Sequence, residues 1–185
     1  LIRRYRITRW RSIATMAIDL VNDPMINSYD LSSLKARGGG GAAMPAPIVK
    51  KLKDLTGLDY LEGYGLSETM AATHLNPTNS PRAQCLGIAV FGVKSCIWSP
   101  QDNKKLGTNE IGEILIAGPQ VFLGYWRRPE ETKQPFVTLE GINYFRTGDI
   151  GYVDEEGFFY MVDRLKRMIN TSGFKVWPAE VEAIM

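Results

Sequence analysis

Two cysteines, Cys85 and Cys96, and a single histidine, His74, are all that 185 residues offer in thiol and imidazole chemistry. Two isolated cysteines cannot build a disulfide framework or a zinc site, so a reducing, intracellular compartment is the expectation. A serine or cysteine nucleophile would have to rely on His74 as its base, and nothing beside that residue suggests a triad. Gly65-Leu66-Ser67-Glu68-Thr69 begins like a nucleophile elbow but ends in Thr69 where a glycine is needed. No apolar run approaches the ~20 residues that span a bilayer, and no secretory leader is visible. Net charge is only +2, too little for a general pull toward nucleic acid or anionic lipid. Internal repeats and low-complexity tracts are also absent. What remains is an ordinary globular composition with a core-sized apolar fraction of 44%.

The charge that is present is uneven. Arg3, Arg4, Arg6, Arg9 and Arg11 crowd the start of the chain, interleaved with Ile2, Tyr5, Ile7 and Trp10. Ile7, Trp10, Ile13, Ala14, Ala17 and Ile18 recur near helical spacing, which predicts one helix from Arg3 to Leu20 with a solvated basic face, stopped at Asn22-Asp23-Pro24. Lipid or nucleic acid contact by this face is the alternative, and nucleic acid binding is not expected. Gly38 to Gly41 read as a loop beside a strand end. A second helix begins at Pro45 or Pro47, runs through Ile48, Leu52 and Leu55, and ends at Gly57, since proline suits a first turn and glycine a C-terminal cap. Leu58 to Glu62 is a strand candidate.

Beyond His74 the texture becomes that of short strands: Leu86 to Val93, Ser95 to Trp98, Glu113 to Ile116, Tyr144 to Phe145 and Phe158 to Val162, separated by turn-forming clusters. A hinge is expected at Asp163-Arg164-Leu165-Lys166-Arg167. After it come a hairpin through Ile169 and Phe174 to Val176, and a helix starting at Pro178.

Three stretches could carry chemistry. The glycine run followed by Ala42, Ala43 and Met44 gives a backbone that a flat ring or phosphate could approach, although alone it suits a plain flexible loop equally well. Glu62 to Thr69 gathers an aromatic face, glycines, a hydroxyl and a carboxylate, a set able to stack a base, bond a phosphate and hold magnesium. The simpler alternative is a turn in which Ser67 caps a helix and Tyr64 packs. Asp149, in Arg146-Thr147-Gly148-Asp149, could accept both hydroxyls of a ribose, or only bond its own turn.

Taken in order, Gly40-Gly41-Ala42-Ala43-Met44, Tyr64-Gly65-Leu66-Ser67-Glu68, Gly112-Glu113-Ile114, Gly118 through Gly124-Tyr125, Thr147-Gly148-Asp149, Asp163-Arg164-Leu165-Lys166 and Ser172-Gly173-Phe174-Lys175 resemble successive signatures of the adenylate-forming (AMP-binding) superfamily. Within it the chain looks most like a medium- or long-chain fatty-acyl-CoA synthetase. The resemblance implies an α/β and β fold: the C-terminal part of a large domain, with an α/β segment at 1–84 and a distorted β-barrel at 85–163, then the hinge and start of a small α+β domain at 164–185. It implies that Tyr64 stacks on adenine and that Gly40, Gly41 and Ala42, with Gly65 beside them, belong to the adenine and acyl region. Glu68 would hold magnesium, Ser67 would contact phosphates, and Asp149 and Arg164 would bind the ribose hydroxyls. Lys166 would be the hinge residue, and Ser172, Gly173 and Lys175 would approach the CoA chain. The implied cofactors are ATP or AMP, magnesium, and CoA as co-substrate.

The implied partners are a fatty acid, ATP and CoA, in a cytoplasmic protein for which peripheral association with a membrane stays open. An aryl-acid CoA ligase, another adenylate-forming enzyme, or a non-catalytic nucleotide-binding module are the alternatives. The family's phosphate loop and its C-terminal catalytic lysine are not in these residues, so the expectation is an internal fragment of a longer enzyme, inactive by itself.

Overall fold

The computed structural model describes residues 1–41, 44–167, 169–171, 174–176 and 178. Its chain divides into two compact units, Leu1–Gly65 with His74–Ile88, and Leu66–Thr73 with the residues from Ala89 onward.

In the first unit the predicted helix from Arg3 to Leu20 is replaced by three elements: α1 (Ile2–Tyr5), strand β1 (Arg9–Ser12) and α2 (Ala14–Asn22). The reason is tertiary. Arg6 takes a left-handed conformation at φ 48° and ends α1, after which β1 pairs in parallel with β2 (Ala36–Gly39), Arg9 opposite Ala36 and Ser12 opposite Gly39. Ladder bonds to a neighbouring strand outweigh helical spacing over so few residues.

The second correction concerns the glycines. Gly38 and Gly39 are not a loop but the last residues of β2. Their missing side chains let three backbones come together: a Cβ on Gly38 would enter the Leu61 carbonyl, and one on Gly39 would enter the Ser12 carbonyl and the Tyr60 hydroxyl. Tyr60, on the next strand, also donates its hydroxyl to the Ser12 carbonyl at 3.0 Å, a bond that reaches across β2 to β1.

Helix α3 (Ala46–Thr56) follows as predicted, with Pro45 before its first turn and Gly57 at φ 69° closing it through a 2.7 Å bond to the Lys53 carbonyl. β3 (Tyr60–Tyr64) then pairs in parallel with β2, β4 (His74–Leu75) adds antiparallel to β3, and β5 (Ile88–Ala89) completes a five-stranded sheet in the order β1-β2-β3-β4-β5. Helices α2 and α3 cover it through Ala17, Val21, Met44, Leu52 and Tyr60.

The second unit is antiparallel. β6 (Lys94–Ser99), β7 (Lys104–Lys105), β8 (Gly112–Ala117), the short α4 (Pro129–Lys133), β9 (Phe136–Leu139), β10 (Ile142–Val153) and β11 (Phe159–Arg164) follow in sequence. Strand order is β11-β10-β8-β6-β7, with β9 also on β10. β8 is buried at every position because it lies at the middle of the sheet; Leu115 and Ala117 pack with Cys96, Trp98 and Tyr144. The expected strand at Leu86 to Val93 shrinks to Ile88–Ala89, while the one at Tyr144 to Phe145 lengthens to twelve residues. β12 (Ile169–Thr171) and β13 (Phe174–Val176) form the expected hairpin. The helix expected from Pro178 lies, past that residue, outside the described residues.

Candidate nucleotide and metal site

A cleft of about 500 Å³ opens in the second unit, lined among others by Glu68, Glu113, Tyr125, Glu131, Arg146, Thr147 and Lys166. Glu68 reaches it from a 3-10 turn, Ser67–Thr69. Thr69 builds that turn: fully buried, its Oγ1 accepts the Leu66 N–H at 2.9 Å, and its own N–H donates to the Leu66 carbonyl at 3.0 Å. Capping work that sequence reasoning offered to Ser67 therefore belongs to Thr69, and Ser67 stays exposed. Met70 ends the turn in a left-handed conformation at φ 56°.

Three carboxylates line the cleft, and their surroundings separate them. Glu113, 1% exposed, accepts from Arg146 Nη2 at 2.9 Å and Nε at 3.2 Å through one oxygen, and from the Gly148 N–H at 3.1 Å through the other. Glu131 pairs with Arg128 at 2.8 Å, which holds its carboxyl below the usual range. Glu68 makes no ion pair among the described residues; its Oε1 accepts a 2.9 Å hydrogen bond from the Tyr125 hydroxyl. Burial raises the Tyr125 hydroxyl's pKa, and the bond to Glu68 and its charge raise it further.

No cluster of three or more His, Cys, Asp or Glu side chains among the described residues could cage a metal. A lone carboxylate does fit one kind of ion. Magnesium keeps waters and phosphate oxygens around it and needs only one or two protein oxygens. Glu68, with no ion pair among the described residues, has an oxygen of the kind such an ion takes.

The irregular stretch of β10 that bears Asp149 is pinned from β8. Pairing between β10 and β8 shifts register between Arg146 and Ile150, so ladder bonds lapse there. Side chains replace them: Glu113 takes the Gly148 N–H, Thr147 Oγ1 donates to the Ile114 carbonyl at 2.7 Å, and the same hydroxyl accepts the Asp149 N–H at 3.0 Å. Arg146 lies over the Trp98 ring, 5.0 Å from its centroid. Asp149 and Arg164 face each other across β10 and β11 and form an ion pair at 3.1 Å, so the structure brings both expected ribose residues together. Lys166 sits in the 3-10 turn Leu165–Arg167 at the cleft wall. The preceding Asp163 is 4% exposed, accepts from the Arg164 N–H at 2.7 Å and forms an ion pair with Arg167 at 3.5 Å.

In the first unit Gly40 lies beside β3, where a Cβ would strike the Gly63 carbonyl, while Gly41, at φ 90°, faces open space. Gly65 follows β3 and is exposed. Tyr64 is buried, its ring 5.6 Å from that of His74 at 51°. His74 itself is fully buried, and burial lowers its pKa to about 4, so it is a neutral core residue at neutral pH. Ala42, Ser172, Gly173 and the Lys175 side chain lie outside the described residues.

Sequence reasoning gave no role to Tyr125, Glu113 or Arg146. Tyr125 and Glu68 stand 57 positions apart, beyond the reach of any local pattern. The only available signal was that Gly112-Glu113-Ile114 and Gly124-Tyr125 are family signatures lacking an assigned duty.

A turn-borne carboxylate, an aspartate–arginine pair on adjoining strands and a lysine lining the carboxylate's cleft belong to a chain of mixed α/β and antiparallel architecture. The family model described as AMP-binding enzyme matches residues 1–126, and the chain belongs to that family. It is 39% identical to a long-chain-fatty-acid–CoA ligase of Bacillus subtilis over 98% of its own length and 32% of the relative's. It is 35% identical to probable 4-coumarate–CoA ligase 2 of Dictyostelium discoideum, covering 100% of itself and 33% of that protein. The crystal structure of ATP-bound MatB from Rhodopseudomonas palustris matches with a TM-score of 0.87 and 33% identity over 97% of this chain and 35% of that one. The chain thus spans about a third of the length of the curated relatives it matches.

Proposed function

We propose that the protein carrying this chain is an acid–CoA ligase that activates a fatty acid. A carboxylate oxygen attacks the α-phosphorus of ATP, the bond to the bridging oxygen breaks, and pyrophosphate leaves an acyl-adenylate. The thiol of CoA, losing its proton, then attacks the acyl carbon and expels AMP. The observation that carries the reading is Glu68, which among the described residues is the cleft carboxylate without an arginine partner, held on a turn and lining the same cleft as Lys166.

In this reading Glu68 is the protein's oxygen ligand for magnesium, an ion that when bound offsets the negative charge of the phosphates. Ser67, an exposed hydroxyl next to it, bonds the phosphates. Asp149 and Arg164, paired at 3.1 Å, bind the ribose hydroxyls. Tyr64, Gly40, Gly41, Ala42 and Gly65 form the adenine and acyl region. Lys166 is the pivot of a rotation that brings Ser172, Gly173 and Lys175 to CoA, so that one site serves both half-reactions. The same reading divides the chain into segments 1–84, 85–163 and 164–185, places the enzyme in the cytoplasm and assigns it to lipid metabolism. Among the described residues no helix is long and apolar enough to cross a membrane.

Kinship with the bacterial fatty-acid ligase supports a fatty-acyl substrate; the similar kinship with a coumarate ligase supports the second reading, an aryl acid. ATP–pyrophosphate exchange by the full-length protein with acetate, octanoate, palmitate and benzoate decides between them. Exchange with octanoate or palmitate that falls at least ~100-fold in Glu68→Ala is the expected outcome, on the scale of losing one transition-state charge contact. Exchange with benzoate alone would favour the aryl-acid reading, and none with any carboxylate would overturn the enzyme.

A further inference from the structure

Glu68 is fixed by more than its own turn. Its backbone carbonyl accepts the Phe122 N–H at 2.7 Å, and its Oε1 accepts the Tyr125 hydroxyl at 2.9 Å, so both ends of the residue are tied to the segment between β8 and α4. That segment is braced in turn. Tyr125 donates its N–H to Thr132 Oγ1 at 2.9 Å, Thr132 donates its hydroxyl to the Arg128 carbonyl at 2.7 Å, and the Arg128 N–H returns to the Tyr125 carbonyl at 3.1 Å. The Tyr125 ring meets the Phe122 ring edge-on, 4.8 Å between centroids, and Phe122 in turn packs on Phe136 and Phe145. Gly124 is obligatory in this arrangement: at φ 151° a Cβ there would collide with Thr132.

A carboxylate on a flexible two-carbon stem would otherwise sample many rotamers, and ordering it on binding costs free energy. A neutral phenol is also the right partner for a metal ligand. An arginine, as at Glu113 and Glu131, would cancel the charge a cation needs, whereas a hydroxyl donor orients the group and leaves its charge intact.

We infer that Tyr125 is a positioning residue for Glu68: its hydroxyl holds one carboxylate oxygen so that the other is ready for the divalent cation that accompanies a nucleotide triphosphate. The inference rests on the reading of Glu68 given above. Its consequence is specific. Tyr125→Phe keeps the ring and its contact with Phe122, and removes only the orienting bond.

The test is equilibrium binding of ATP to the full-length protein by calorimetry, with excess EDTA and with saturating Mn²⁺, together with Mn²⁺ binding followed by electron paramagnetic resonance. In Tyr125→Phe the gain in ATP affinity produced by Mn²⁺ should shrink about 3- to 10-fold, the range for one lost hydrogen bond of ordinary net strength. ATP affinity in EDTA and the thermal midpoint should stay at wild-type values. Equal Mn²⁺ dependence in Tyr125→Phe and wild type, or equal losses with and without the metal, would overturn the inference. Glu68→Ala separates the two failures: if it retains the full Mn²⁺ effect, the reading of Glu68 falls and this inference with it. If it loses that effect while Tyr125→Phe does not, the inference alone falls.

Discussion

Among the buried ionisable residues Glu113 is matched with a counter-charge and His74 is kept neutral, and the difference is measurable. Removing Arg146 as Arg146→Met leaves a carboxylate that is 1% exposed facing only the Gly148 N–H, and breaking such a pair costs about 3 kcal/mol or more. Chemical denaturation of the full-length protein should show that loss, and Glu113→Gln with Arg146→Met together should lose less than the sum of the single variants. His74 is kept neutral. Its pKa falls from 6.5 to about 4 on folding because burial penalises the imidazolium, so the unfolded chain binds the extra proton between those values. Stability from this residue is complete above pH 6.5 and is lost as pH falls toward 4, by at most about 3 kcal/mol. Glu62, whose pKa burial raises, titrates in the opposite sense. The readout is therefore the difference between wild type and His74→Gln across that range, and the variant should show the flatter acid limb in pH-dependent unfolding.

At the scale of elements, glycine decides the first sheet. Gly39→Ala would push a methyl into the Ser12 carbonyl and the Tyr60 hydroxyl, and the strand must part from β1 to admit it. Gly41→Ala meets nothing within 4 Å and pays only for its positive φ, about 1 kcal/mol. Hydrogen exchange at residues 9–12 should accelerate strongly in the first variant and stay near wild type in the second. The same elements show what sequence could and could not reveal. α3 was legible because its proline start, apolar spacing and glycine end agree within one stretch. β1 was not, because Ile7, Trp10 and Ile13 fit a helix equally well and the partner that settles the matter, β2, lies some 25 positions away. β2 itself was disguised by glycines, which sequence rules place in loops. Their presence in a strand follows from the close approach of β1 and β3, a fact of tertiary structure.

For the whole molecule, order of motifs was the most informative feature of the sequence. The mixed α/β segment followed by antiparallel strands, and the grouping of Asp149 with Arg164, follow that order. Glu68 with Tyr125 was out of reach, since neither residue type nor local spacing announces a contact between chain regions so far apart. The chain spans about a third of the length of its relatives, so the proposed activity is tested on the full-length protein, by pyrophosphate exchange and metal binding.

The bond between Tyr125 and Glu68 also bears on the life of the chain during synthesis. A contact across 57 positions closes a long loop, so it is expected among the slower events of folding. Until then the acidic side chain is present but unaimed. On the proposed reading of Glu68, metal-dependent capture of a nucleotide would be a late acquisition, and the ribosome-bound precursor should let ATP pass by until this contact has formed.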